Sequence, residues 1–416
     1  MLTTLKNAWK IKEIRNRLLY MLLILVIVRI GTHLPVPGVD LSKLDANSSG
    51  TLYSLITGGD YGTIFAMGIG PYINASIIMQ LLTVAIPRLE QINKEGEEGR
   101  KRIAQYTRIC TVALALLQGI GQVYTIRGAF GVSGGSVWFL YAVALISMMT
   151  GTVFIMWLGE QLNEKGIGNG SSFIIAANIL AGLAGGVKMM YVQGSGEGAM
   201  GWIKVAVMLL ILLADMVFVI IVQDGERRIQ VQYSKKMVGR RMLGGQSSFI
   251  PIKVNIAGVM SIIFAISLLQ FPQTIYQLWQ PDWLGKVVSW LSVTQSPVGA
   301  ALYVVLIFCF TFFYTSFSFN PIEVAENIKK SGGFVPGIRP GKPTSDYIQT
   351  VVDRVSLIGA CAYSIIALVP SLFNMVLHVN IGFGGTTLLI VTGVALDIFK
   401  QMESQMVMRH YKGFLS

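Results

Sequence analysis

Apolar residues fall into ten separate runs along this chain, each close to the length that a helix needs to cross a membrane. A helix rises about 1.5 Å per residue, so about 20 apolar residues span a hydrocarbon core of about 30 Å. The runs lack the strict alternation of apolar and polar positions found in barrel strands. The pattern predicts an all-α polytopic membrane protein with ten transmembrane helices, roughly at residues 18–35, 68–86, 107–126, 137–158, 172–192, 202–222, 254–276, 297–319, 350–370 and 383–402.

The composition agrees with a membrane protein and excludes several other classes. Of the 416 residues, 53% are hydrophobic and 13% are charged, whereas soluble proteins average about 25% charged residues. The three cysteines, Cys110, Cys309 and Cys361, lie far apart inside apolar runs. This spacing leaves no disulfide framework and no paired-cysteine zinc site, and we expect no cofactor.

Basic residues are distributed unevenly between the two sides of the predicted bundle. Of the 33 Lys and Arg residues, 25 fall in segments on the N-terminal side and only three on the other side. Because basic segments resist translocation, this asymmetry predicts that both termini are cytosolic. The segment 223–253 carries more basic residues than topology requires, so it is either an anchor on anionic lipids or a docking surface for a cytosolic partner.

The ten runs divide into five before and five after a short external stretch at residues 193–201. An odd number of spans in each half gives the halves opposite orientations, which permits an inverted repeat of the kind found in many transport proteins. We therefore predict an N-terminal half at 1–192, an external hinge at 193–201 and a C-terminal half at 202–416.

A short apolar stretch interrupts the external segment between the first two runs. Leu52, Tyr53, Leu55 and Ile56 precede a pair of glycines, and the stretch is too short to span the membrane and too apolar for an ordinary loop. We expect it to fold back into the protein as a re-entrant element.

Candidate chemistry inside the spans is sparse. Arg29 and Asp215 lie within predicted helices, and each is either a structural charge with an internal partner or part of an ion pathway. The second interpretation keeps a secondary transporter of small solutes as the alternative function. Ser133 lies in a Gly-x-Ser-x-Gly pattern, but in a predicted external turn without the strand and helix of a nucleophile elbow. We expect no catalysis.

Several motifs occur together in a fixed order and indicate a family. They are Arg29-Ile30-Gly31, Pro35-Val36-Pro37-Gly38, Ile64 to Ile73, Trp157 to Gln161, Gly166 to Gly170, Phe319-Asn320-Pro321, Gly333 to Gly341 and Phe383 to Thr386. In this respect the chain closely resembles the SecY family, the central subunits of bacterial protein-translocation channels. The resemblance covers nearly the whole chain.

The resemblance implies a clamshell of two inverted five-helix halves around an hourglass pore, with the short re-entrant element near 50–63 acting as a plug. It also implies a constriction of bulky aliphatic side chains, a pore ring. Aligned motif to motif, the ring consists of Ile69, Ile73, Ile175, Ile263 and Ile390. Apolar side chains can close around a passing polypeptide while offering ions no binding site.

The resemblance further implies a lateral gate between the second and seventh spans, through which apolar segments reach the lipid. Polar side chains that could form a hydrogen-bonded seam there are Asn74, Ser76, Gln80, Ser261 and Ser267. The family usually has proline where this chain has Ser261, and the plug region is several residues shorter than expected.

The cytosolic loops at 223–253 and 320–349 are, in the family, docking surfaces. The basic residues that match this role are Arg339, Arg240, Arg241, Lys235 and Lys236. The implied partners are the SecE and SecG subunits, the SecA motor ATPase, the ribosome, unfolded preproteins and membrane lipids, including anionic ones. The implied location is the bacterial cytoplasmic membrane, and the implied function is passive conduction of polypeptides driven by a partner.

Overall fold

The structure is a computed structural model that describes residues 6, 8–40, 62–130, 137–196, 198–233, 236–238, 241–243, 247–257, 259–279, 281–291, 296–377 and 385–412. The described chain is predominantly helical. The helices are α1 (Lys12–His33), α2 (Gly70–Ala85), α3 (Pro87–Lys94), α4 (Glu97–Thr125), α5 (Val137–Lys165), α6 (Gly170–Gly196), α7 (Gly198–Asp224), α8 (Met260–Trp279), α9 (Asp282–Leu291), α10 (Pro297–Ser318), α11 (Pro321–Lys330), α12 (Lys342–Leu377) and α13 (Gly385–Lys412).

Each of the ten predicted runs overlaps one of these helices, although the run predicted at 254–276 becomes helical only from Met260. Within the described residues, six helical segments are long and apolar enough to cross a membrane individually, and the bent pair α2 and α3 adds a seventh if it counts as one span. The fold is therefore an all-α membrane bundle, while the total of ten spans stays a prediction.

Prolines explain where several helices begin and bend. Pro87 starts α3, and its ring disfavours helical geometry at Ile86, which is extended at ψ 112°. As a result α3 turns by 101° away from α2. At α11, Pro321 occupies the first turn and the Asn320 side chain accepts hydrogen bonds from two backbone N–H groups, as expected of a helix cap.

The helices pack as two groups that meet along two lines. In the first group, α4 contacts α2 and α5, and α6 contacts α5 and α1. In the second group, α12 contacts α7, α10 and α13, and α8 contacts α10. Between the groups, α6 lies against α7 and α13 on one side, and α8 lies against α2 and α4 on the other. Helices α2, α6, α8 and α13 thus all lie at the boundary between the two groups.

The stretch 193–201, predicted as a loop, is almost entirely helical. Helix α6 continues to Gly196 and α7 begins at Gly198, which has a positive φ of 63°. The Trp202 ring packs at about 3.0 Å from the position that a side chain on Gly194 would occupy. Small residues therefore allow two long helices to approach each other closely here, while the hinge at 193–201 stays a prediction.

A small β-sheet joins the two predicted cytosolic loops, and the sequence pattern did not predict it. Three strands form this sheet, in the order β4 (Ser247–Lys253), β1 (Glu226–Tyr233) and β5 (Gly333–Phe334). The strands β2 (Lys236–Val238) and β3 (Arg241–Leu243) form a separate two-stranded sheet. β1 pairs antiparallel with β4 and with β5, and β2 pairs with β3. Ile229 and Val231 alternate with exposed residues on β1 and enter a separate apolar cluster with Ile328 and Val335. The two loops therefore form one folded unit.

The segment before α2 is buried without being helical. Its N-terminal end bonds to the end of the α1 region, where Val36 N donates to Gly62 O at 2.8 Å and Ile64 N donates to Leu34 O at 3.0 Å. Phe65, Ala66 and Met67 follow and are buried. This segment forms the last part of the predicted re-entrant stretch. Its earlier part lies outside the described residues, together with Leu52, Tyr53, Leu55 and Ile56.

Candidate pore and docking surface

The five isoleucines of the predicted pore ring belong to one apolar cluster. Their exposed fractions are low, at 0% for Ile69, 8% for Ile73, 2% for Ile175, 7% for Ile263 and 2% for Ile390. They come from α2 and the residue before it, α6, α8 and α13, which all lie at the boundary between the two groups of helices. The cluster thus combines residues that lie more than 300 positions apart in the sequence.

Close backbone contacts fix the positions of several ring residues. Ile69 is the residue immediately before α2, and its carbonyl accepts from Ile73 N at 3.1 Å. The Cδ1 atom of Ile69 lies 3.5 Å from the position that a side chain on Gly159 would occupy. Val259, next to α8, packs closely against Gly393 on α13. A Cβ added to Gly393 would lie 2.5 Å from Cγ2 of Val259. Small residues therefore bring the ring-bearing helices together.

The predicted gate residues lie on α2 and α8, which contact each other. Within the described residues no hydrogen bond joins these side chains across the two helices, and their role as a gate stays a prediction. Gln80 donates to Ser76 on the same helix at 3.4 Å. Among the described residues, Oε1 of Gln80 and Oγ of the fully buried Ser261 have no hydrogen-bond partner. Asn74 and Ser267 are half-buried. Within the described residues, the contact between α2 and α8 therefore depends mainly on apolar packing.

Arg339 lies on an exposed turn that the surrounding residues hold firmly. Gly337 and Gly341 on either side adopt positive φ values of 81° and 104°, a conformation that glycine tolerates best. The hydroxyl of Thr344 donates to the Arg339 carbonyl at 2.8 Å. The backbone of this turn is therefore fixed, while the guanidinium is exposed to solvent.

The other predicted docking residues are only partly described. Lys236 lies on β2 and Arg241 on β3, which pair with each other. Lys235 and Arg240 lie outside the described residues, as does Ser133 of the Gly-x-Ser-x-Gly pattern. Because β5 pairs with β1, the sheet brings the Arg339 turn and the loop at 223–253 into one folded unit.

The two charges inside the spans have different surroundings. Arg29 on α1 donates to Ala177 O at 2.7 Å and to Asn178 Oδ1 at 3.1 Å, both on α6. These contacts agree with the interpretation of Arg29 as a structural charge with an internal partner. Asp215 on α7 is buried, and its Oδ2 atom has no hydrogen-bond partner among the described residues.

Two ion pairs between helices were not predicted from the sequence. Arg108 on α4 contacts Glu160 on α5 at 2.8 Å, beside a cavity of about 390 Å³. Lys400 on α13 contacts Asp224 at the end of α7 at 2.7 Å. Opposite charges at the ends of different runs were visible in the sequence, but their pairing depends on which helices are neighbours.

No group of His, Cys, Asp or Glu that could hold a metal occurs in the part of the chain that the structure describes.

Comparisons with known proteins agree on one family. The SecY family model matches residues 63–399. The chain is 43% identical to the protein translocase subunit SecY of Streptomyces scabiei and 44% identical to that of Streptomyces coelicolor, each over 438 residues that cover 100% of both chains.

Solved structures share the fold at lower identity. A structure described as a protein conducting channel gives a TM-score of 0.66 at 19% identity and covers 94% of this chain and 93% of its own. Sec61 in the canine ribosome-channel complex from the endoplasmic reticulum gives 0.64 at 19% identity, with the same two coverages. The yeast Ssh1 complex bound to the yeast 80S ribosome gives 0.62 at 15% identity and covers 95% and 89%.

Proposed function

This chain belongs to the SecY family, and on that premise we infer that this multi-pass membrane protein is a protein-conducting channel. The observation that carries this conclusion is identity of 43% to 44% over the full length of both chains with translocase subunits. The alternative, a secondary transporter of small solutes, is not supported, since no relative reported above is such a protein and Arg29 has a structural partner on α6.

We propose that Ile69, Ile73, Ile175, Ile263 and Ile390 form the constriction of the pore. Their burial in one cluster supports this role. Flexible aliphatic side chains can adapt to a polypeptide of any sequence, and they provide neither ligands nor charge for an ion. The ring would therefore pass an unfolded chain while limiting the leakage of ions.

The clamshell is proposed to open where α8 meets α2 and α4. Few polar contacts oppose this opening, since Gln80 bonds within α2 and Ser261 has no partner among the described residues. An apolar segment in the pore gains about 0.3–0.6 kcal/mol per favourable residue on entering the membrane. Asn74, Ser76 and Ser267 would line the exit. Opposite this gate, the helix-to-helix turn within 193–201 would act as the hinge between halves 1–192 and 202–416.

The cytosolic sheet and the Arg339 turn are proposed as the docking surface for the SecA motor ATPase and for the ribosome. An exposed arginine on a fixed turn suits both partners, because a guanidinium can bind carboxylate or phosphate through two hydrogen bonds. Lys235, Lys236, Arg240 and Arg241 would add positive charge, which also favours anionic lipids. SecE and SecG are the proposed membrane subunits.

The channel itself is proposed to perform no covalent chemistry, so the energy for transport comes from SecA or from the translating ribosome. The proposed location is the bacterial cytoplasmic membrane, with both termini in the cytosol. Leu52, Tyr53, Leu55 and Ile56 are proposed to form the plug, since the buried segment at 62–69 leads from their part of the chain directly to Ile69.

Reconstitution tests this function directly. The chain is purified with SecE, inserted into vesicles, and supplied with a radiolabelled unfolded preprotein. Protease-protected preprotein that appears only with both SecA and ATP is the expected result. Vesicles with SecE alone and a preprotein without its signal segment are the controls. Absence of protected preprotein, despite a folded complex that retains SecE, would refute the proposal.

A further inference from the structure

Helix α9, on the predicted external side, presents large apolar side chains away from the rest of the protein. Trp283 is 67% exposed, Val287 39% and Trp290 69%. The same helix buries Leu284, which is only 7% exposed. Helix α9 follows α8 after two residues and contacts both α8 and α10. An exposed apolar stripe on a connecting helix therefore requires a physical explanation.

The residues of α9 divide into three faces. At about 100° per residue, Trp283, Val287 and Trp290 fall within about 60° of each other and form the exposed stripe. Leu284 and Val288 lie further around the helix, on the side that packs against the chain. Lys286 and Ser289 are exposed on the remaining side. One face thus contacts protein, one is polar and one is apolar and uncovered.

The neighbouring helix α10 carries an exposed apolar stripe of its own. On α10, exposed apolar residues recur with the same spacing at Val298, Leu302 and Val305. Exposed tryptophans also mark the external ends of other helices, with Trp138 near the start of α5 at 81% and Trp202 near the start of α7 at 48%. Tryptophan is enriched where a membrane meets water, because its ring is apolar and its N–H is polar.

We propose that α9 lies in the plane of the external membrane–water interface, with Trp283, Val287 and Trp290 inserted between lipid headgroups and upper acyl chains. A helix with one apolar and one polar face binds a bilayer surface in this orientation. Lys286 and Ser289 then face water, and Leu284 keeps the helix attached to the bundle. The partner is the lipid of the external leaflet.

An anchored α9 would also affect the gate between α8 and α2, an inference that rests on the proposed function. Gly285 packs against the ring of Tyr276 on α8, where an added Cβ would lie 3.2 Å from the nearest ring carbon. A helix held at a fixed depth in the interface would therefore hold the external end of α8. Opening between α8 and α2 would have to move α9 through the lipid, so the external leaflet would resist or assist it.

Spin-label accessibility tests the anchor without requiring transport. Cysteines are introduced singly at Trp283, Val287 and Trp290, with Lys286 and Ser289 as matched controls on the same helix. The background replaces the three native thiols by serine, at Cys110, Cys309 and Cys361. Each variant is labelled with a nitroxide in the complex with SecE, in vesicles of phosphatidylethanolamine and phosphatidylglycerol. Collisions with oxygen report lipid, and collisions with a water-soluble nickel chelate report water.

We expect the labels at the three apolar positions to collide more often with oxygen than with the nickel chelate. The labels at Lys286 and Ser289 should collide more often with the nickel chelate than with oxygen. Equal access of nickel at all five positions would overturn the proposal, because α9 would then lie in water. Protection of the apolar positions from both reagents would also overturn it, since another protein would cover the stripe. Neither outcome bears on whether the channel exports preproteins.

A second measurement tests the consequence for the gate. The double variant Trp283→Gln/Trp290→Gln is compared with Lys286→Gln/Ser289→Gln. Loss of the anchor is expected to change the fraction of a membrane segment released into lipid, while export of a soluble preprotein stays the same. Equal release by both variants would refute the coupling of α9 to the gate.

Discussion

Replacing two ring isoleucines by alanine tests whether the buried cluster is the seal of the pore. In the variant Ile69→Ala/Ile263→Ala, each position loses about three carbons, and at about 0.8 kcal/mol per buried CH₂ group the pair loses about 5 kcal/mol of apolar burial. If only about 1.4 kcal/mol of this loss favours the open state, the open population rises about tenfold. We therefore expect ion conductance of the idle channel in planar bilayers to rise by at least about tenfold.

The same substitutions also weaken the fold, so the control must match their cost. Ile179 on α6 and Ile307 on α10 belong to the same cluster and are 1% and 0% exposed, but neither is a predicted ring residue. Large-to-small changes at buried sites cost about 2–5 kcal/mol each. The variant Ile179→Ala/Ile307→Ala should therefore lose similar thermal stability in detergent without a rise in conductance.

Two results would refute the reasoning about the ring. Equal conductance of the ring variant and the unmodified channel would place the seal elsewhere in the protein. Equal leakage by the ring variant and its control would show that a loosened core, and not a local constriction, lets ions pass. Thermal unfolding of both variants must be measured in the same detergent for this comparison.

Three further predictions concern docking, packing and the charge inside the first span. Arg339→Glu should abolish SecA-driven export but leave the melting temperature unchanged, because the side chain is exposed; normal export would contradict the docking assignment. Gly151→Ala should destabilise the protein by about 1–3 kcal/mol, because the new Cβ would lie 2.2 Å from the backbone oxygen of Ile64. The control Gly185→Ala has nothing within 4 Å of its new Cβ and should leave stability unchanged in the same thermal unfolding assay. Arg29→Met should lower stability by about 1.5–3 kcal/mol for each lost hydrogen bond to α6 and still support export; loss of export at unchanged stability would indicate a role in conduction.

Predictions about the path of the chain between apolar runs differ from the structure. A loop was expected at 193–201, but helices α6 and α7 meet there almost directly. No prediction of strands was made for the loops at 223–253 and 320–349, yet β1 alternates buried and exposed residues and pairs with β5, about 100 residues later. Short strands in a polar loop have little local signal, because their stability comes from pairing with distant segments.

For the predicted site residues too, the sequence identified the residues but not their contacts. Their alignment to the SecY motifs named Ile69, Ile175 and Ile390, but each is an ordinary apolar residue in its own segment of the chain. The hydrogen-bonded gate was inferred from polar spacing along α2 and α8, yet Gln80 bonds to Ser76 on its own helix. Whether a polar side chain bonds within or between helices depends on helix rotation, which spacing along one helix does not specify.

The sequence by itself determined the membrane location, the positions of the helices and the family. Hydrophobicity over about 20 residues is a local property, and it is sufficient because a helix in lipid satisfies its own backbone hydrogen bonds. The tertiary structure decided which side chains share one cluster, which charges pair between helices, how two polar loops form one sheet and which face of α9 stays uncovered. These features depend on the contacts among helices, and close approaches at residues such as Gly151 and Gly393 set those contacts.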